Sequence, residues 1–381
     1  MKKSLTVSLA LVAVFVLVLS ACAPAATATE APVTQAPTEV LTEAPTEAPT
    51  QAPTEAPATE APTVAPPTNT PPPPPVCDKI ADAPAAPAAG ELGSTDNPIV
   101  ITFVPSGDTG RITTAGTAIA DCLTQMTGLT FEMEVGTSFA ASIEAMGAEK
   151  AQVGFLNTFS TLLAEQKYGV VPALVAIRKY ATNDLDPDKA MGGELQPFYK
   201  GQFIANVDSG INSFADLKGK SFCFVDPNST YGYIVPRIIL MANGIDPDTD
   251  FSATQNAGSH DNVATAVYKG DCDAGVTYIN VLTDSSADLQ TTYPDIAEKV
   301  KIFAVTDRIP NDGMQFINGL DPNLQKVIVE GMLAMAEDPG GKAVLKNLYN
   351  YDAFQAVQPD FYNDFAAVLT KAGVDPAELV K

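Results

Sequence analysis

Between residues 97 and 350 the chain alternates short apolar runs with amphipathic stretches. Ile99-Val100-Ile101-Thr102-Phe103-Val104 reads as a strand buried on both faces. A helix is predicted over 113–126 and closed by Gly128, a strand over 131–135, and a helix over 139–146. Strand 152–156, helix 159–167 and strand 171–177 follow. The pattern then starts again. Strand 202–206 precedes Ser213-Phe214-Ala215-Asp216, which reads as a helix cap with an acid placed to return the bond. Strand 223–225, helix 231–242 with Gly244 as its stop, helix 263–268, and strands 274–278 and 300–305 complete the second round. The tail from Leu324 is predicted to be largely helical.

This alternation predicts an α/β fold with mainly parallel sheets in two lobes. Residues 97–200 and 303–381 are assigned to lobe 1 and residues 201–302 to lobe 2. Two hinge crossings are expected, near Tyr199 to Phe203 and near Phe303 to Thr306. A ligand would sit between the lobes, at the carboxyl ends of the strands.

The N-terminal pattern differs. Lys2 and Lys3 precede an apolar run over 5–19 that ends in Leu19-Ser20-Ala21-Cys22. It has the length of a signal-peptide core and is short for a bilayer span. Residues 1–21 are therefore read as a lipoprotein signal peptide and Cys22 as the lipidated residue, so the expected location is the extracytoplasmic face of a membrane. Residues 22–76 then form a tether of Ala, Pro, Thr and Glu, with repeats such as Thr46-Glu47-Ala48-Pro49 and prolines at 71–75. Such a segment cannot bury enough apolar surface to offset its ordering entropy. At about 3.1 Å per residue it reaches roughly 170 Å at most. Residues 77–96 read as a more ordered lead-in. Ala23, where an Asp would hold a lipoprotein at an inner membrane, points to a host with a single membrane.

The formal net charge is −23, which argues against nucleic acid as a partner, because its backbone is bound by Lys and Arg. Besides Cys22 there are four cysteines: Cys77, Cys122, Cys223 and Cys272. An even number outside the cytoplasm suggests disulfides, and three pairings are open. Cys223–Cys272 with Cys77–Cys122 is favoured, because Cys223 lies in one predicted strand and Cys272 immediately precedes another. No Cys/His cluster suggests a metal, and no cofactor is expected.

Several predicted strands run directly into small polar residues that open a helix: Gly136-Thr137-Ser138, Asn157-Thr158, Asn228-Ser229-Thr230 and Gly258-Ser259. Each such start offers unpaired backbone N–H groups and a positive dipole end. Taken singly, each is an ordinary cap. Converging on one cleft, they make an anion site that needs no Lys or Arg, which reconciles an acidic chain with an anionic ligand.

Val225-Asp226-Pro227-Asn228-Ser229-Thr230-Tyr231-Gly232, followed by Pro236, resembles the signature of the phosphonate/phosphite/phosphate-binding proteins of ABC importers. Ala257-Gly258-Ser259-His260-Asp261 and Ala266-Val267-Tyr268-Lys269-Gly270-Asp271-Cys272-Asp273-Ala274-Gly275 carry the same resemblance. So do Phe103-Val104-Pro105-Ser106, Asp208-Ser209-Gly210-Ile211 and Asp216-Leu217-Lys218-Gly219-Lys220. It extends over about 98–349 in unchanged order. It implies a type II periplasmic-binding fold that closes about a hinge, binds a phosphorus oxyanion without catalysis, and delivers it to a membrane permease. A monomer is expected.

Carried over, Ser229, Thr230 and the backbone N–H of Tyr231 would hold the phosphoryl oxygens, and Gly232 would allow close approach. His260, the only histidine, would donate to another oxygen. Tyr199 would reach in from the hinge, and Asp312 would accept a P–OH proton or bind an ammonium. Asn157, Thr158 and Asn228 are further candidates at the helix starts. Asn280 stands where aminoalkylphosphonate binders carry an acid, which favours phosphite or a simple alkylphosphonate. Tyr231 replaces a hydroxyl residue of the signature, Phe155 with Asn157-Thr158 stands where a tyrosine is usual, and Pro236 should kink its helix.

Other readings compete. Ser229, His260 and Asp312 permit a hydrolase triad on paper, but no G-x-S-x-G elbow is present. The same fold could bind a sulfonate, a thiamine precursor or an amino acid. The last would need an arginine clamp, for which Arg111 is the candidate, although its position reads equally as a surface loop. A stalked adhesion or signalling module is the remaining reading.

Overall fold

The computed structural model describes residues 71–179 and 195–374. The segments read as signal peptide and lipidated Cys22, and the expected tether up to residue 70, lie outside the described residues. The first round of the pattern folds as β1 (Ile99–Phe103), α1 (Thr109–Thr127), β2 (Phe131–Val135), α2 (Phe139–Gly147), β3 (Val153–Phe155), α3 (Thr158–Tyr168) and β4 (Val171–Lys179). β1 lies in parallel between β2 and β3. That central place explains why its sequence is apolar almost throughout rather than alternating. Past the short strand β5 (Leu195–Gln196) the chain enters the second round. This consists of β6 (Phe198–Tyr199), β7 (Gly201–Asn206), β8 (Ser221–Phe224), α4 (Val235–Ala242), β9 (Ala253–Asn256), α5 (His260–Lys269), β10 (Ala274–Tyr278), the single turns α6 (Leu289–Thr292) and α7 (Ile296–Lys299), and β11 (Val300–Val305). Its sheet has the order β11-β7-β10-β8-β9.

The chain then returns through β12 (Ile309–Pro310), β13 (Gly313–Phe316), α8 (Pro322–Glu337), α9 (Pro339–Tyr349), β14 (Ala353–Ala356) and α10 (Asn363–Lys371). β13 and β14 complete the first sheet, whose order is β14-β4-β13-β3-β1-β2 with β5 beside β4. The result is a two-lobed α/β fold. The crossings between the sheets lie side by side. β6 pairs with β12, and Gly201 and Thr306 exchange hydrogen bonds of 2.9 Å through Gly201 N–H to Thr306 Oγ1 and Thr306 N–H to Gly201 O.

Three boundaries depart from the sequence pattern for local reasons. α1 starts at Thr109, because the Asp108 carboxylate accepts from Arg111 N–H at 2.7 Å and caps it. α5 starts at His260, because Ser259 caps Asn262 N–H. β4 continues past Ile177 to Lys179, held by β14 on one side and β5 on the other. The tail from Leu324 also adds one strand, β14, to the first sheet where mostly helix was expected, and β13 joins that sheet just ahead of it.

Pro236 does not simply kink a helix. Residues Thr230–Ile234 form a wide π turn that leads into α4, with Pro236 in the first turn of the α-helical part. Proline offers no N–H to the Gly232 carbonyl, and that carbonyl instead accepts from Val225 N–H at 2.9 Å. The proline thus leaves an acceptor that fastens the helix start to the strand end.

Both favoured disulfides are present. Cys223–Cys272 has a Cα separation of 5.9 Å and joins β8 to the residue pair before β10, strands that run parallel in register with Cys223 opposite Gly275. Cys77–Cys122 ties the lead-in to α1. The lead-in is further held by Ile80 N–H to Met126 O at 2.9 Å and by the Lys326–Asp82 ion pair at 2.8 Å.

Candidate functional site

The β8–α4 connection builds one wall of the cleft. After Phe224 the chain turns at Asp226-Pro227-Asn228, where Asp226 Oδ1 accepts from Asn228 N–H at 2.8 Å. Ser229 then caps the π turn by accepting from Gly232 N–H at 3.1 Å, which leaves its own hydroxyl proton for donation. A Cβ on Gly232 would collide with Val225 and come within 2.7 Å of Ser229 Oγ. Packing against the strand end, rather than room for a ligand, therefore explains this glycine.

The lobes enclose a cavity of about 80 Å³, room for about five water-sized groups at roughly 15 Å³ each. Ser229, Thr230, His260, Tyr199, Asp312, Asn157 and Asn280 all border it. Tyr231, Thr158 and Asn228 do not. The Tyr231 side chain turns to the hinge, where its hydroxyl donates to Tyr199 O at 2.5 Å and its ring meets Tyr199 edge-on. The Thr158 hydroxyl donates to Pro310 O at 2.7 Å. The Asn228 carbonyl accepts from Asn157 Nδ2 at 3.2 Å and from Ser160 Oγ at 3.3 Å. Asn280 adopts a left-handed conformation, φ 69°, at the end of β10.

His260 is oriented for donation. Its Nδ1 accepts from Tyr278 N–H at 3.0 Å, so the neutral ring carries its proton on Nε2. Burial pushes its pKa down to about 3, and the positive charge of Arg178 adds to this, so the ring is neutral at physiological pH. Burial likewise raises the Tyr199 phenol, with the Asp312 charge contributing, so Tyr199 keeps its proton.

The expectation of an anion site without cations is not met. Arg178, Arg111 and Lys179 all border the cavity. Arg178 became legible only with the longer β4. Its guanidinium lies 3.1 Å from Asp312 Oδ1, donates to Asn311 Oδ1 at 3.0 Å and to Tyr349 O at 3.1 Å, and stacks near the Tyr199 and Tyr351 rings. Arg111 is not a surface-loop residue. It donates to the Asn347 and Leu348 carbonyls at 2.6 and 2.8 Å and lies 3.6 Å from Asp261 Oδ2. Two acids near the cavity were not singled out as site residues from the sequence. Asp261 is held at 3.1 Å by Asp108 N–H, and burial pushes its pKa up to about 6 against the opposing pull of Arg111. Asp284 accepts from Tyr278 Oη, Asn350 Nδ2 and Ser286. Asp312 and Asp284 border the cavity and Asp261 pairs with Arg111 off its lining, so buried acids offset part of the positive charge of the wall.

Residues 101–362 match the family of periplasmic substrate-binding proteins of phosphonate ABC transporters. The chain belongs to that family. Among relatives of this phosphonate-binding family, it is 26% identical over 251 residues to the phosphate-import protein PhnD of Mycolicibacterium smegmatis, covering 61% of this chain and 74% of that one. The fold agrees with the binding protein component of an ABC phosphonate transporter from Pseudomonas aeruginosa (TM-score 0.60, 23% identity, 72% of this chain and 86% of that one). It agrees equally with PhnD1 of Prochlorococcus marinus, solved in complex with methylphosphonate (TM-score 0.59, 16% identity, 72% and 98%). These likenesses account for the two lobes and the cleft between them.

For this phosphonate-binding family member, the triad geometry is absent among the described residues. His260 Nδ1 is occupied by a backbone N–H, while Asp312 is held by Arg178 and by Tyr351 Oη at 3.1 Å. No group of three or more metal-ligating side chains occurs among the described residues.

Proposed function

We propose that this chain is the capture component of an ABC importer and closes its two lobes on a small phosphorus oxyanion: phosphonate, phosphite or phosphate. The observation that carries this reading is the convergence of the Ser229 hydroxyl and the His260 Nε2–H with Arg178 on one small enclosed cavity. Ser229 and His260 belong to the second lobe and Arg178 to the first. A ligand that accepts from all three therefore favours the closed arrangement, because only that arrangement satisfies both sets of donors. A tetrahedral oxyanion offers acceptors in several directions at once and suits such a site better than a planar carboxylate.

Asp312 borders the cavity beside Arg178 and is placed to accept the proton of a singly protonated oxyanion. Asn280, neutral and buried, gives no charge for an ammonium, which supports phosphite or a simple alkylphosphonate over an aminoalkylphosphonate. Asp284, the other acid on the wall, already accepts from four protein donors. Binding without catalysis agrees with the occupied Nδ1 of His260. Cys22 would carry the lipid that anchors the chain outside the membrane, and the Pro-rich tether would set the reach from anchor to permease. The test is calorimetric titration with phosphite, methylphosphonate, phosphate and 2-aminoethylphosphonate. Heat from the first three that is abolished by Ser229→Ala with His260→Gln supports the reading, and binding of a sulfonate or amino acid in their place contradicts it.

A further inference from the structure

The Thr230 hydroxyl has one proton and two lone pairs, and the first lobe takes most of that capacity. It donates to Asn157 Oδ1 at 2.9 Å and accepts from Phe159 N–H at 2.9 Å. The Tyr199 hydroxyl lies beside it as well. Asn157 in turn caps α3 through Ser160 N–H at 2.9 Å and donates to the Asn228 carbonyl of the second lobe. Thr230 is 1% exposed and Asn157 6%, so these bonds are shielded from competing water. The second-lobe hydroxyl thus completes the N-terminal cap of a first-lobe helix, and it can do so only when the lobes are together. Three more direct contacts join the lobes farther along the cleft. They are His260 N–H to Ser106 O at 3.2 Å, Asp108 N–H to Asp261 Oδ2 at 3.1 Å, and Asn350 Nδ2 to Asp284 Oδ2 at 3.1 Å.

We propose that Thr230, Asn157 and the Phe159 N–H form a lobe-to-lobe latch that holds the cleft shut by protein–protein bonds alone. Thr230 then acts as a positioning residue for closure, while Ser229, one residue earlier, faces the ligand. The two neighbouring hydroxyls divide the work: one sets the open–closed equilibrium and the other the ligand contact. This inference rests on the reading of the chain as a hinge-closing binder, and it adds that closure is partly prepaid before any ligand arrives.

The experiment is single-molecule energy transfer on the full chain without added ligand, unfolded and refolded beforehand, with dyes on non-natural residues at the exposed positions 132 and 254 in the two lobes. The latch predicts a populated closed state in the parent chain. Thr230→Val keeps the shape and loses the hydroxyl, and should lower the closed-to-open ratio by roughly fivefold, the change expected for one net hydrogen bond. Asn157→Ser keeps a capping side chain but shortens the reach to Thr230, and should lower the ratio in the same direction even if the first variant folds poorly. A parent chain that is wholly open, or a ratio unmoved by both Thr230→Val and Asn157→Ser, overturns the latch. Because no ligand enters the measurement, its outcome is separate from that of the phosphorus-oxyanion reading.

Discussion

On the proposed reading, Ser229 and His260 would contact the ligand through protons directed at the cavity. Ser229→Ala is expected to weaken oxyanion affinity about tenfold, the loss of one hydrogen bond to a charged group at roughly 1.5 kcal/mol, as read by titration calorimetry. His260 and its neighbour Asp261 also predict a pH signature of opposing signs. His260, lowered to about 3 from an ordinary 6.5, contributes stability that is complete above pH 6.5 and is lost as pH falls toward 3. Asp261, raised to about 6 from 3.8, contributes in the opposite sense, favouring the folded state below pH 3.8 and losing that advantage as pH rises through 6. At about 1.4 kcal/mol per pH unit each, the two nearly cancel between pH 6 and 4. The parent chain should show a shallow profile there. Asp261→Asn should uncover a loss of about 3 kcal/mol on acidification from pH 6.5 to 4, and His260→Gln a gain of similar size, both by urea denaturation. Variants as flat as the parent would contradict the burial argument.

At the scale of elements, the turn from β8 through the π turn into α4 holds the second-lobe wall. Gly232→Ala would force a methyl group against Val225 and should cost about 2 kcal/mol of stability, seen as a lower melting temperature with the cleft chemistry otherwise intact. Most elements of both lobes were legible because the central strands are apolar runs and Gly128, Ser213 and Gly244 punctuate the chain, but the sheets are not mainly parallel as expected: β4, β7, β11, β13 and β14 pair antiparallel, because the chain returns to each sheet from the other lobe. The closing strands β13 and β14 were not. Gly313–Phe316 is only four residues long, and its place beside β3 and β4 depends on pairing with chain far away in sequence. Ser229 and His260 could be singled out from the sequence because their chemistry is local, and both border the cavity. Arg178 was missed because its role depends on two extra residues of β4 and on Asp312, more than a hundred residues later. Thr230 borders the cavity as expected, but its bonds to Asn157 and Phe159 were not legible, because those partners lie in the other lobe.

At the scale of the molecule, two closed loops stiffen the chain. Cys223–Cys272 spans 49 residues within the second lobe, and Cys77–Cys122 fastens the lead-in to α1. Each should contribute about 3 kcal/mol through the unfolded chain, so reduction should lower the melting temperature by several degrees per bridge. The central claim, a hinge-closing receptor for a small phosphorus oxyanion, is tested most directly by thermal melts of the full chain, unfolded and refolded to strip bound solute. The solutes are phosphate, phosphite, methylphosphonate, 2-aminoethylphosphonate, sulfate and taurine. A ligand at about a hundred times its dissociation constant adds roughly 2.7 kcal/mol, a shift of several degrees. The account predicts that shift with phosphorus oxyanions and its disappearance in the Ser229→Ala, His260→Gln double variant. No shift with any phosphorus oxyanion, or a shift confined to sulfate or taurine, would contradict it.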